Sequence, residues 1–214
     1  EALGFEVIIL KDRKCCGRPM ISKGLLDKAG ENARHNVDLL YEYVERGIKI
    51  AGCESSCVMT IKDEYPDLLG GEEKARVVAD NTVMLEEIIA ECLGDDRPQL
   101  EFTDLSKKVQ FLGHCHQRAL TGLSSSIKVL NLPPNFEVID IPAGCCGMAG
   151  SFGYEKEHVE VSMAAGEERF FPHVRNNPDA EVCVTGISCR EQTTFGTDRT
   201  ARHLVEVLAD ALKK

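Results

Sequence analysis

Gly144-Cys145-Cys146-Gly147-Met148-Ala149-Gly150-Ser151-Phe152-Gly153-Tyr154 decides how this chain is read. Two adjacent thiols stand between glycines directly after the apolar run Phe136 to Ile141. A thiol pair used for packing would have large apolar neighbours, so the glycine flanks point to ligands. The pattern also occurs earlier, where Cys15-Cys16-Gly17 follows Phe5-Glu6-Val7-Ile8-Ile9-Leu10. Phe5-Glu6-Val7-Ile8 matches Phe136-Glu137-Val138-Ile139 at an offset of 131, Cys15 matches Cys145 at 130, and Cys57 matches Cys189 at 132. Three anchors at offsets within one residue of 131 define an internal repeat.

The reading is therefore two pseudo-repeated halves, 1–97 and 98–214, joined at Gly94-Asp95-Asp96-Arg97-Pro98. At the same offset, a counterpart of the strand before Cys115 would fall about 15 residues ahead of Glu1. Glu1-Ala2-Leu3-Gly4 also reads as a helix end with its glycine stop. A fragment of a longer protein is expected on both grounds.

Strand candidates alternate with helical spacings along the chain. Phe5–Leu10, Ile48–Gly52, Lys108–Gly113, the run from Phe136, and Glu181–Thr185 are short, apolar and β-branched. Leu25 to Glu45 runs at helical spacing with Ala29, Ala33, Val37, Leu40 and Val44 on one side. Further helices are expected over Thr60–Leu69, Asn81–Leu93, His116–Leu130, Lys156–Phe171 (stopped by Pro172) and His203–Leu212. Such alternation defines an α/β fold with mainly parallel sheets in three-layer halves, whose ligands gather beyond the strand carboxyl ends. Cys115, Cys145-Cys146 and Cys189 each follow a different strand at that end, so they converge although scattered in sequence. Cys15 and Cys16, with Cys53 and Cys57, form a secondary set by the same logic.

Composition narrows the chemistry. The net charge of −10, with no basic stripe, excludes a nucleic-acid surface. No apolar run is long enough to span a bilayer, and the first residues lack a secretory signal, so the protein reads as cytoplasmic. Ten cysteines in 214 residues then suit metal or redox ligation better than disulfide staples. Neighbouring cysteines do not easily take two corners of one small tetrahedron, and neither half has the C-x-x-C knuckle common at zinc. An iron-sulfur cluster is favoured over zinc by the softness and number of the thiolates, with zinc the alternative. Thiol-disulfide exchange at the vicinal pairs is disfavoured by the strain of such a bridge.

Other residues carry blander readings. Cys92 on an apolar helix face and Cys183 between Val182 and Val184 read first as core, with Cys183 and Cys53 kept as possible extra ligands. His114 and His116 flank Cys115 and read as hydrogen-bonding neighbours, while His35, His158, His173 and His203 read as solvated. The Gly147–Gly153 loop lacks the Lys-Ser/Thr of a phosphate cradle.

Gly113-His114-Cys115-His116-Gln117, the stretch Cys145 to Tyr154, and Gly186-Ile187-Ser188-Cys189-Arg190-Glu191-Gln192 resemble the tandem cysteine-rich CCG domain. That family includes the heterodisulfide reductase B subunit and the iron-sulfur subunits of glycolate oxidase and anaerobic glycerol-3-phosphate dehydrogenase. Its closest match to these motifs is the carboxyl-terminal region of fused FAD/iron-sulfur D-2-hydroxyacid dehydrogenases. The resemblance implies a 4Fe-4S-type cluster on Cys115, Cys145, Cys146 and Cys189, with Cys15, Cys16 and Cys57 matching in the first half. Glu54 and Gly186 stand where the family has the first cysteine of its C-x-x-C, which leaves Cys53 and Cys183 as substitutes. It further implies an electron-transfer module not catalytic alone, with FAD on the missing part of the parent protein. Its partners would be a flavin-binding domain or subunit and a downstream acceptor, and the parent reaction oxidation of a D-2-hydroxy acid. Membrane association would be peripheral, through a partner. A zinc-holding or metal-free docking module of the same enzyme is the alternative.

Overall fold

The computed structural model describes residues 1–93 and 99–213. The expected joint at 94–98 lies outside the described residues. Two parallel sheets organise the chain, as the alternation of strands and helices requires. The smaller joins β1 (Ile50–Gly52) to β2 (Thr82–Met84). The larger has four strands in the order β4-β3-β5-β6: β3 (Lys107–Leu112), β4 (Phe136–Asp140), β5 (Glu181–Val184) and β6 (Ala201–His203). All its ladders are parallel, with Lys107 opposite Phe136, Val109 opposite Glu181 and Val182 opposite Ala201.

Period-two alternation divides the core between the two faces of the larger sheet. Val109, Phe111 and Cys183 face one layer, completed by Val129 and Leu130 of α8 (Ser124–Leu130) and by Leu204, Val207 and Leu208 of α12 (Leu204–Ala211). Leu112, Val182 and Val184 face the other, with Phe170, Phe171 and Val174 of α10 (Phe170–Asn176). The sheet is thus the middle of three layers. Ile89 and Ala90 of α6 (Leu85–Glu91) join the first layer, so the N-terminal part shares a core with the C-terminal part. A separate cluster lies under α2 (Leu26–Val44), where Ala29, Ala33, Val37, Leu40 and Val44 are buried as their spacing predicts. No helix among the described residues is long and apolar enough to cross a membrane.

Several elements differ from expectation, each for a local reason. Segment 5–10 belongs to no sheet, and Val7, Ile8 and Ile9 are 60%, 46% and 77% exposed. Its sequence twin β4 is a strand because it pairs in register with β3, a pairing that segment 5–10 does not make with any strand among the described residues. The helix expected over Asn81–Leu93 begins only at Leu85, because Thr82-Val83-Met84 pairs with β1. Glu87 starts it by accepting from the Met84 N–H at 2.7 Å, so Val83 lies on a strand and Ile89 and Ala90 face inward. The expected Thr60–Leu69 helix starts earlier, as α3 (Ser55–Met59), passes through a wide π turn over Thr60–Glu64, and ends in α4 (Tyr65–Leu68). A helix between them, α5 (Glu73–Asp80), and a short one, α1 (Arg18–Ser22), are additional to those expected.

In the C-terminal part, His116–Leu130 is two helices, α7 (Cys115–Leu120) and α8, parted where Gly122 turns left-handed at φ 76°. Lys156–Phe171 likewise splits into α9 (Val159–Glu168) and α10. Pro172 sits in the first turn of α10, where its missing N–H costs no helical bond, so it helps to start a helix rather than stop one. The last helix is preceded by the unforeseen strand β6.

Phe171 sets the spacing between α9 and α11 (Ile187–Thr197). Its ring fills the room in front of both Gly166 and Gly196, and a methyl group at either position would overlap it. Gly166→Ala should therefore lower stability by about 1–3 kcal/mol through overpacking, although alanine favours a helix by about 1 kcal/mol over glycine. Urea unfolding of the purified protein decides the sign, and a stabilised variant would show that the ring has room to move.

Candidate metal centre

The three adjacent strands β4, β3 and β5 end at one edge of the larger sheet, and the loop after each carries thiols. β3 leads through Gly113-His114 to Cys115, the first residue of α7. The β3–β4 ladder continues past its last paired residue, with Ile141 N–H donating to the Phe111 carbonyl at 2.8 Å, and this aims the chain toward Cys145 and Cys146. β5 leads into α11, whose third residue is Cys189.

The four thiols are near enough to influence one another's protonation in sequence: Cys145 is affected by Cys115 and Cys146, and Cys146 by Cys145 and Cys189. The neighbouring Cys115 and Cys146 hold the Cys145 thiol far below the ordinary thiol range. The backbone N–H of Gly147, 3.3 Å from the sulfur, and that of Ala149 add to this. Cys115 is pushed up by the neighbouring Cys145 and by burial, and Cys146 by Cys145 and Cys189 and by burial. The glycine loop makes these amide contacts by turning left-handed at Gly147 (φ 96°), Ala149 (φ 45°) and Gly150 (φ 68°). A side chain at 147 would strike the Ser162 carbonyl, so glycine is required there twice over.

A second, smaller set lies in the N-terminal part. The neighbouring Cys57 thiol above all, with the Arg18 N–H and Cys15, brings the Cys16 thiol down to about 7 against burial. Cys57 is pushed up by Cys16 in turn and by burial. Asn36, buried on α2, places this loop by accepting from the Lys14 N–H at 2.8 Å and donating to its carbonyl at 3.2 Å. Asn32 donates to the Cys15 carbonyl at 3.2 Å. The remaining cysteines lie elsewhere. Cys183 is fully buried on the far face of β5, where burial pushes its thiol well up, and Cys92 lies in the same apolar layer. Cys53 is exposed, with its carbonyl bound by the His203 ring at 2.8 Å.

His114 and His116 are hydrogen-bonding neighbours of Cys115, as expected: His114 is the N-cap residue of α7, and its Nδ1 accepts from the His116 N–H at 3.3 Å. Burial lowers both imidazoles. His203 is 8% exposed rather than solvated and caps α12. His158 stacks on Phe152 with ring centroids 4.1 Å apart.

A polar seam with no counterpart among the sequence expectations joins the two thiol sets. Arg18, two residues past Cys16, ion-pairs with Glu64, whose carboxylate lies 3.8 Å from Nε2 of His116, next to Cys115. Deeper in, Gln117 Nε2 donates to Glu86 at 2.9 Å, while its carbonyl oxygen accepts from Thr185 at 2.9 Å and from Ser55 at 3.0 Å. Glu86, Ser55 and Thr185 are wholly buried. The available signal is the spacing of Glu86 beside inward-facing positions of an apolar helix, which reads as a charge only if burial is ignored. Glu54 gives no structural signal of its own, because a carboxylate two residues before the N–H that it accepts from looks like an ordinary helix cap.

Comparison with known proteins agrees with the thiol-bearing geometry. The cysteine-rich domain family named CCG matches residues 1–62, the part holding Cys15, Cys16 and Cys57. The chain is similar to one subunit of the anaerobic glycerol-3-phosphate dehydrogenase of Escherichia coli K12, 30% identical over 215 residues, covering 99% of this chain and 53% of that protein. It is 28% identical over 214 residues to D-2-hydroxyglutarate dehydrogenase of Escherichia coli K12, covering 100% of this chain and 20% of that protein. An iron-sulfur protein of Methanocaldococcus jannaschii is 26% identical over 185 residues, covering 86% of this chain and 34% of its own length. The chain thus spans about half of the first relative and a fifth of the second. Residues 1–62 of this chain match the CCG cysteine-rich domain family.

Proposed function

We propose that the chain is the iron-sulfur electron-transfer module of a dehydrogenase, with the cluster held by Cys115, Cys145, Cys146 and Cys189. The observation that carries this reading is the gathering of four thiols, from the loops after three neighbouring strands, near enough to shift one another's protonation. Bound there, an iron-sulfur cluster supplies one-electron transfer. The chain's own contribution is to gather soft anionic ligands and to offset their charge. The amides of Gly147 and Ala149 direct N–H groups at the Cys145 sulfur, an arrangement that favours negative charge at that point.

The spread of the sulfurs supports several metals over one. A tetrahedral zinc with bonds of about 2.3 Å would draw its thiolates to within about 3.8 Å of each other. Among the described residues, the ligand atoms that all lie within 4.8 Å of one another are those of Asp63, Glu64 and His116, and no three thiols meet that limit. A multi-iron centre accepts a wider set. We read Cys15, Cys16 and Cys57 as a smaller companion site, and the chain as two related halves, 1–97 and 98–214.

The names of the relatives support a dehydrogenase partner. We assign the parent reaction to oxidation of a small hydroxylated substrate, a D-2-hydroxy acid foremost, with electrons arriving from a flavin on another domain or subunit. In this reading the proton of such a substrate is taken by the flavin-bearing part. Its setting in this reading is the cytoplasm, at a membrane only through a partner.

Purified and reconstituted without oxygen, the protein should bind iron and acid-labile sulfide and show a broad visible absorption, and Cys145→Ser should abolish both. A colourless protein that takes up zinc alone would falsify the cluster. Cys183→Ala and Cys92→Ala should keep the full iron content, because those thiols lie in the apolar layer behind the sheet. Loss of iron in Cys183→Ala, with the far-UV spectrum unchanged, would make Cys183 a ligand.

A further inference from the structure

The two thiol sets come from opposite ends of the chain, yet one carboxylate touches the helices that carry both. Glu54 Oε1 accepts from the Ser56 N–H at 3.2 Å and so caps α3, which bears Cys57. Its Oε2 accepts from the Ile187 N–H at 2.8 Å, 133 residues further on, at the first residue of α11. Cys189 follows two residues later. The N-cap residue of α11 is Gly186, which has no side chain to do this itself. The first N–H groups of a helix lack intrahelical acceptors, and a carboxylate satisfies them with a charge-assisted bond that also suits the helix dipole.

The lack of a side chain at 186 is itself imposed from outside. A Cβ there would stand 2.6 Å from Cδ2 of His114. That ring cannot move aside, because Nδ1 is bound to the His116 N–H and Nε2 lies 3.2 Å from the Ser56 hydroxyl. Just before it, the Thr185 carbonyl accepts from both the N–H and the hydroxyl of Ser55, at 3.2 and 3.0 Å. Glu54, Ser55 and Ser56 together therefore grip the backbone of residues 185–187, directly or through His114.

We propose that Glu54 is a positioning residue for the second thiol set: from the N-terminal part it fixes the start of α11 and thereby the place of Cys189. What the positioning serves rests on the cluster reading, whereas the positioning itself is a property of the metal-free fold. The reach is specific to glutamate. Aspartate is one methylene shorter, and glutamine keeps a single acceptor oxygen for two N–H groups.

Timed alkylation of the reduced, metal-free protein with iodoacetamide, read cysteine by cysteine by mass spectrometry, tests this directly. In wild type Cys189, Cys92 and Cys183 are 2%, 5% and 0% exposed and react only through local opening. Glu54→Ala should speed Cys189 about tenfold, the worth of one charge-assisted bond, and Glu54→Gln should speed it less, while Cys92 and Cys183 keep their rates. Cys189 at the wild-type rate in both variants overturns the proposal. So does equal acceleration of all three thiols in Glu54→Gln, which would make Glu54 a general stabiliser. Iron reconstitution runs beside it: wild type that takes up no iron removes the cluster reading and leaves the alkylation rates to judge the positioning. Where wild type loads, Glu54→Ala should yield its iron to a chelator about tenfold faster.

Discussion

Hydrogen-bonded parallel strands must finish at the same edge of their sheet, and the arrangement of thiols follows from that constraint. β4, β3 and β5 lie side by side in register, so the loops that leave them begin within about 10 Å of one another. Residues separated by dozens of positions then meet without any long loop searching for its target. Three rigid neighbouring strands would also spare a metal bound there the entropy of ordering flexible ligands.

The second constraint is the polar seam between the N-terminal and C-terminal parts. An apolar interface tolerates sliding, because any contact can substitute for its neighbour. Ser55, Gln117, Thr185 and Glu86 instead pair donor with acceptor, and a shift of one residue would strand several of them without water. The cost is visible at Glu86, one of whose buried oxygens has no partner among the described residues. Such a network fixes one relative placement of the thiol sets more than it adds stability.

Much of this is legible in the sequence. Helical spacing gives α2 its buried face, and Val182-Cys183-Val184 announces a strand with Cys183 turned away from the ligand side. The meeting of Cys115, Cys145, Cys146 and Cys189 can be read because each follows an apolar strand, and parallel topology does the rest. What cannot be read depends on partners distant in the chain. Phe5–Ile8 and Phe136–Ile139 are the same four residues, yet only the latter forms a strand, because strand formation is decided by pairing with a neighbour, here β3. Thr82–Met84 passes for helix since three residues are too few to show a period of two. The double cap by Glu54 spans 133 residues and leaves no local trace.

Gly166 and Gly196 belong to helices that flank the glycine loop and carry Cys189, and the single ring of Phe171 occupies the volume their missing side chains leave. These three positions share that volume, so enlarging either glycine demands a smaller residue at 171. In sequences descended from a common ancestor with this chain they should change in concert or not at all, leaving a mark of correlated substitution with no ligand among its members.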